Sequence, residues 1–138
     1  MASGIYDCFK EDLMDATVNL SSDTIKVALL DDSHAFDATD TTWADISANE
    51  ITNTSGTAYT AGGEALAGLT IVVSSNIARW DANDAAWTTA TFSAYHVVLY
   101  DTTNSDSLIA SIDLGGEQTV TSGTFTVEWS AGGILSLT

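Results

Sequence analysis

The octapeptide AYHVVLYD at residues 94–101 is the strongest indication of how this chain folds. A strand with one solvated face alternates apolar and polar residues, whereas a run that is apolar on both faces is typical of a strand covered on both sides. The two faces of this run are Tyr95, Val97 and Leu99, and His96, Val98 and Tyr100. The sequence therefore predicts a central, doubly covered strand here.

Shorter β-patterned runs lie on both sides of this strand. They are predicted at residues 24–30, 66–74, 77–80, 88–92, 107–114, 124–129 and 134–137. The Gly115-Gly116 pair predicts a turn between two of them, since paired glycines favour turns. Many short strands with abundant threonine indicate a mainly β fold, either a β-sandwich or a partly open barrel.

One helix is predicted, at the amino terminus. Ile5, Phe9 and Leu13 recur every four residues within residues 4–18, and Ser3 is a plausible N-cap. At 138 residues the chain is the size of one domain, 1–138. We expect a helical segment at 1–19 and a β domain at 24–138 that carries a long acidic loop at 31–53.

The composition excludes several classes of function. Nineteen acidic residues against three basic ones give a net charge of -16, while 45% of the residues are hydrophobic, which predicts a folded, acidic domain. Nucleic-acid binding is disfavoured because phosphate contacts depend on Lys and Arg. No run is long enough to span a membrane, and no cleaved signal is recognisable, so a soluble chain is expected. Cys8 is the only cysteine, which excludes an internal disulfide.

No catalytic or cofactor motif stands out. His34 is expected to be solvated in the acidic loop and His96 to be packed in its strand, with no nucleophile motif near either. Glycine pairs precede glutamates and do not form a phosphate-binding loop. We therefore predict a protein that is not an enzyme and has no cofactor or metal. Five aspartates leave a hard-cation site open as an alternative to a solvated acidic face; they are Asp31, Asp32, Asp37, Asp40 and Asp45.

The long acidic loop at residues 31–53, which we call the acidic arm, is the predicted contact region. A connection longer than about 12–15 residues without regular structure is often functional. Its isolated apolar residues and the turn at 59–63 are the predicted interface with a partner, because loops carry function more often than strands do. The predicted interface residues are Phe36, Trp43, Ile46, Tyr59, Thr60, Gly62 and Gly63. Trp80 and Trp129 are expected in the core.

Several blocks along the chain resemble a family of small virion structural proteins of tailed bacteriophages. The blocks are DTIKVALL at 23–30, ISANEI at 46–51, GTAYTAGGEAL at 56–66, RWDANDAAW at 79–87, AYHVVLYD at 94–101 and FTVEWSAGGILSL at 125–137. The resemblance implies a non-enzymatic, capsid-bound component.

We therefore expect a capsid decoration, or cement, protein on the exterior of the virion. It would bind the major capsid protein as a homo-oligomer such as a trimer and stabilise the shell, without contacting nucleic acid or membrane. An acidic surface suits a protein that stays soluble at high copy number. Two alternatives remain open. One is a tail or neck component; the other is a carbohydrate-binding β-sandwich that uses Trp43 and Tyr59.

Overall fold

The computed structural model describes residues 3–52 and 58–138. Residue 53 of the acidic arm, residues 54–57 of the turn-rich stretch and residues 1–2 of the predicted helical segment lie outside the described residues. The helices are α1 (Asp7–Met14) and α2 (Trp43–Ile46), with a 3-10 turn at Ser47–Asn49. The strands are β1 (Gly4–Ile5), β2 (Ile25–Leu30), β3 (Glu64–Ala65), β4 (Thr70–Ser74), β5 (Ile77–Asp81), β6 (Ala85–Asp101), β7 (Ser107–Val127) and β8 (Leu135–Leu137).

Two antiparallel sheets build the domain, which confirms the prediction of a mainly β fold and is consistent with a β-sandwich. The five-stranded sheet has the order β1-β7-β6-β2-β3, and the three-stranded sheet has the order β4-β5-β8. Strand β6 lies at the centre of the larger sheet, and its residues 96–101 are buried, so the prediction of a central, doubly covered strand is confirmed.

Each face of the five-stranded sheet belongs to a different apolar cluster. The first cluster contains Val27, Val97 and Leu99 of this sheet, together with Trp80 of the smaller sheet and Phe9 of α1. The second contains residues of the opposite face and of the acidic arm; its buried members are Tyr6, Ala28, Leu30, Ile46, Val98, Tyr100 and Leu108. The helix and the small sheet therefore cover one face, and the arm covers the other.

The predicted turn at Gly115-Gly116 is wrong, because β7 runs through it as one strand of 21 residues. Ala94 pairs with Gln118 and His96 pairs with Asp113. Two residue intervals on β6 therefore lie opposite five residue intervals on β7. The extra residues form a bulge in which Gly115 and Gly116 adopt positive φ angles of 81° and 137°. Glycine tolerates this backbone, and a bulge and a turn leave the same glycine signal in a sequence.

The helix is shorter than predicted. Gly4 and Ile5 pair with Ser111 and Ala110 as strand β1, so the helix begins at Asp7. Tyr6, not Ser3, occupies the N-cap position. Among the apolar stripe Ile5, Phe9 and Leu13, only Phe9 is buried. The uncovered part of this stripe becomes important for the site described next.

Candidate docking surface

The predicted contact residues of the acidic arm point into the protein. Trp43 stacks on Tyr100 with ring centroids 4.8 Å apart and an interplanar angle of 7°. Phe36 lies against Tyr6 at 5.0 Å, and Ile46 is buried. The arm therefore uses its apolar residues to cover its own sheet. Of these three predicted contact residues, Phe36 and Trp43 keep a partly exposed edge that a partner could contact, and Ile46 does not.

The second predicted segment, residues 59–63, is fastened to the arm by hydrogen bonds. The buried Tyr59 hydroxyl donates to Glu50 Oε1 at 2.6 Å and accepts from the Leu29 amide at 3.1 Å. Glu50 Oε1 also accepts from the Gly62 amide at 2.6 Å, and the Gly62 carbonyl accepts from the Tyr100 hydroxyl at 2.5 Å. This network joins the arm, the segment and β6.

Gly63 has a structural reason to be glycine. Its φ is +78°, and a β-carbon there would overlap the carbonyl oxygen of Val27. Of the segment's predicted contacts, Thr60 is exposed and Tyr59 and Gly63 are buried. A partner role for these residues stays a prediction. Within the chain, Tyr59 and Gly63 stabilise the domain, and the premise that Tyr59 is exposed for sugar binding is wrong.

His34 is not solvated, contrary to the expectation from the sequence. It is 1% exposed, and its Nε2 lies 3.0 Å from the Ser111 hydroxyl. Burial lowers its pKa, and the adjacent His96 lowers that pKa further. A histidine beside a serine is the arrangement of a base and a nucleophile. Because Ser111 is also 1% exposed, a substrate cannot reach the pair while the arm is in place.

The aspartates of the arm shape their own loops. Asp37 Oδ1 accepts from the Thr39 amide at 2.9 Å, and Asp45 Oδ2 accepts from the Thr42 amide at 2.9 Å. These bonds hold the pKa of both carboxyls below its ordinary value. Across residues 3–52 and 58–138, no group of three His, Cys, Asp or Glu side chains is placed to hold a metal ion.

An apolar groove of about 240 Å³ lies between α1 and the three-stranded sheet. Its apolar lining consists of Ile5, Phe9, Leu13, Leu20, Ile71, Ala78, Trp80, Leu135 and Leu137. Ile71, Trp80 and Leu135 form one cross-strand row, because Trp80 pairs with both of the others. Residues that face each other across paired strands lie on the same side of a sheet. The groove is therefore the uncovered end of the first apolar cluster.

Within residues 3–52 and 58–138, strand β4 pairs with β5 alone and so forms an open edge beside this groove. Its sequence TIVVS has no charge, and all five residues are exposed. Ile71, Val72 and Val73 are 53%, 56% and 73% exposed, and Leu137 across the sheet is 66% exposed. Natural edge strands normally carry charges, proline or a covering segment, because an open apolar edge pairs readily with another chain. Strand β4 has neither charge nor proline.

The cationic side chains are concentrated near this edge. Of the three in the chain, Lys10 lies at the groove, and Arg79 lies on β5 beside it with its side chain on the other face of the small sheet, because successive strand residues point to opposite faces. Lys10 pairs with Asp7 at 2.7 Å. Arg79 faces Val72 across the hairpin and has no ion pair within the described residues; it makes one hydrogen bond, to the Ser74 carbonyl at 3.5 Å. A carboxylate of a partner is therefore best accommodated on the face of β4 and β5 that carries Val72 and Arg79.

A larger hollow of about 510 Å³ lies along the far half of β7. Apolar residues such as Phe125 and Ile134 line it together with Trp129, Gln118 and Glu128. Trp129 is only half-buried, whereas Trp80 is in the core as predicted. The indole of Trp129 donates to the Asn83 carbonyl at 3.1 Å, which fixes the ring at the rim of the hollow.

The sequence did carry a signal for the groove. Residues 66–74 predict a buried strand from their apolar content, yet TIVVS lacks the alternation that fixes which face is buried. An apolar helix stripe at Ile5 and Leu13 was the second signal. Only the three-dimensional structure shows that these two surfaces lie side by side with nothing over them in the described part of the chain.

Comparison with protein-family models, with curated proteins and with solved structures gives no match to this chain. The resemblance to virion proteins of tailed phages therefore stays a prediction. In the described residues, no helix has both the length and the apolar character needed to cross a membrane.

Proposed function

We propose that this chain is a non-catalytic structural protein of a tailed-phage virion. It decorates the outer surface of the capsid by binding the major capsid protein and stabilises the shell. The observation that carries the proposal is the uncharged, exposed edge of β4 beside an apolar groove, on a chain whose net charge is -16. High overall charge opposes non-specific association, so a single uncharged apolar surface is suited to one specific contact.

The occupant that fits is an extended segment of the capsid protein, added to β4 as a further strand. The open backbone groups of an edge strand provide hydrogen bonds for such a segment, and adjacent apolar pockets take its alternate side chains. A carboxylate on the segment would meet Arg79, which lies beside Val72 and has no ion pair among the described residues. Repetition over a symmetric lattice then adds avidity to a contact of modest area.

The attachment is tested by adding the recombinant chain to purified capsids that lack it and measuring co-sedimentation. Val72→Asp places a charge on the exposed edge, and Thr124→Asp places the same charge on an exposed position of β7. We expect Val72→Asp to weaken capsid binding at least tenfold and Thr124→Asp to leave it unchanged. Equal binding by both variants would contradict attachment through β4.

The location is tested independently by quantitative mass spectrometry of purified virions. A decoration protein is present in a fixed ratio to the major capsid protein, with a copy number in the hundreds. A tail or neck component would instead be present in a few tens of copies or fewer. Absence of the chain from the particle would contradict both. Sedimentation of the free chain would show whether it forms the expected homo-oligomer.

The hollow along β7 favours a second function, binding of a neutral saccharide. It joins a tryptophan ring at its rim with carboxylate and amide side chains, which can hydrogen-bond sugar hydroxyls. A glycan array with the wild type, Trp129→Ala and Trp129→Phe tests this function. Binding that is lost in Trp129→Ala and largely kept in Trp129→Phe is expected, and a blank array would exclude it.

A further inference from the structure

Two histidines face each other where the acidic arm packs on the sheet. His34 belongs to the arm and His96 to the central strand β6, and each is 1% exposed. Their ring centroids are 4.9 Å apart in an edge-on arrangement with an interplanar angle of 77°. They are the only imidazoles in the chain. The contact therefore places both imidazoles of the chain at a single interface between the arm and the sheet.

Both rings are suited to this position only while they are neutral. His34 Nδ1 and both ring nitrogens of His96 have no hydrogen-bond partner among residues 3–52 and 58–138. A protonated imidazole carries two N–H donors and a charge, and burying such a group without partners is costly. Two protonated rings at this distance would also repel each other.

The surrounding groups do not reverse this preference. Asp31 on the arm favours the protonated form of both rings, and Asp113, which pairs with His96 across β7, favours protonated His96. Burial outweighs both carboxylates and lowers the pKa of each histidine. The charge of the amino terminus lowers the pKa of His96 further. Tyr6 has its pKa raised by burial to about 12 and is neutral in acid.

We propose that His34 and His96 form an acid-sensitive latch, which holds the arm on the sheet at neutral pH and releases it when both rings take up protons. Release would uncover Tyr100 and Leu108, which the arm's Trp43 and Ile46 now cover. The open form would thus present a second apolar surface, on the face of the five-stranded sheet opposite the groove. The latch goes beyond capsid attachment and does not depend on it.

The sign of the effect follows from linkage. The closed form has lowered histidine pKa values, so it binds fewer protons than the open form below the ordinary histidine pKa of about 6.5. Each pH unit below that value favours the open form by up to about tenfold per histidine. Above about 6.5 neither form carries the extra protons, and the arm stays closed.

Hydrogen exchange of the full chain at pH 7.5 and pH 5.0, corrected for the intrinsic rate, tests the latch. Protection of residues 31–50 should fall at least tenfold more than that of β2 when the wild type is acidified. His34→Gln/His96→Gln contains no imidazole and should keep the arm protected at both values. Asp101→Asn, which removes a buried carboxyl elsewhere, should respond as the wild type does.

Two results would overturn the latch: an arm in the wild type that is equally protected at both pH values, or a double variant that opens like the wild type. Because the double variant could fail to fold, an NMR titration of the wild-type imidazoles provides an independent measurement. We expect both rings to take up protons below their ordinary pKa, at the pH where the arm resonances change. Titration at the ordinary value while the arm stays closed would refute the proposal.

Discussion

The two faces of the five-stranded sheet are covered by different means and to different extents. On one face, the acidic arm places Trp43 on Tyr100 and buries Ile46. On the other face, α1 and the small sheet bury Trp80 but leave Ile71 and Leu137 exposed. The aromatic residues that looked like external anchors in the sequence therefore complete an interior. The face that is left partly uncovered is the one that α1 and the three-stranded sheet pack against.

The largest expected difference is in stability. Tyr100→Ala removes a buried ring that stacks on Trp43 and donates to the Gly62 carbonyl, so it should lower the free energy of unfolding by about 4 kcal/mol. Ile71→Ala, on the groove face, should cost less than about 1 kcal/mol because Ile71 is already half exposed. Urea unfolding measures both. Similar losses in the two variants would contradict the distinction between the faces.

A second difference is in the response to pH. Burial of the Asp101 carboxyl, together with its contact to Asp23, raises its pKa to about 6. Between about pH 4 and 6 the folded form keeps a proton that the unfolded form loses, so this group destabilises the fold as pH rises through that window. The histidine pair acts oppositely and destabilises the arm as pH falls below about 6.5.

Asp101→Asn should therefore raise stability by about 2 kcal/mol at pH 7.5 and change it little at pH 4, where the native carboxyl is already protonated. Urea unfolding at both pH values checks this, with the exposed Asp32→Asn as the control. A gain at pH 4 equal to the gain at pH 7.5 would show that the carboxyl pair does not titrate as described.

A smaller effect is expected where the arm is fastened to residues 59–62. Glu50→Gln keeps the shape of the side chain but weakens two charge-assisted bonds, from Tyr59 and Gly62. The expected loss of stability is about 1 kcal/mol. Glu128→Gln, on the exposed surface of the other face, is the matched control and should be neutral. Equal effects of the two changes would show that this network does not hold the arm.

The smallest effect is expected at the open edge. Val72→Asp should change the free energy of unfolding by less than about 0.5 kcal/mol, since Val72 is 56% exposed and has a neighbouring strand on one side only. A thermal melt beside the wild type measures this. A large destabilisation would mean that the edge contributes to the fold, and would weaken its use as a docking surface.

The sequence predicted the parts of the fold that depend on local periodicity. Residues 94–101 have the same apolar pattern on both faces, and they form the centre of the larger sheet. The bulge at Gly115 and Gly116 could not be told from a turn, because only the pairing partner on β6 distinguishes them. Likewise, residues 4–5 fit the helical period in the sequence, but in the structure they pair with β7 as strand β1.

The candidate site was harder to predict because burial in the arm depends on distant contacts. Trp43 is 57 positions from Tyr100 in the chain, and His34 is 77 positions from Ser111. An isolated tryptophan among aspartates has the composition of an exposed loop, and only long-range packing makes it part of the interior. The groove was missed for the converse reason, since apolar strand residues are expected to be covered.

Footprinting of the chain with a carbene reagent, free and in the purified virion, tests the distinction between the two faces most directly. The account predicts that labelling of β4 and Leu137 falls severalfold in the particle while labelling of the arm stays the same. Unchanged labelling of β4 together with protection of Phe36, Trp43 and Thr60 would contradict it. That result would indicate that the partner binds the acidic arm and the segment at 59–63, as the sequence predicted.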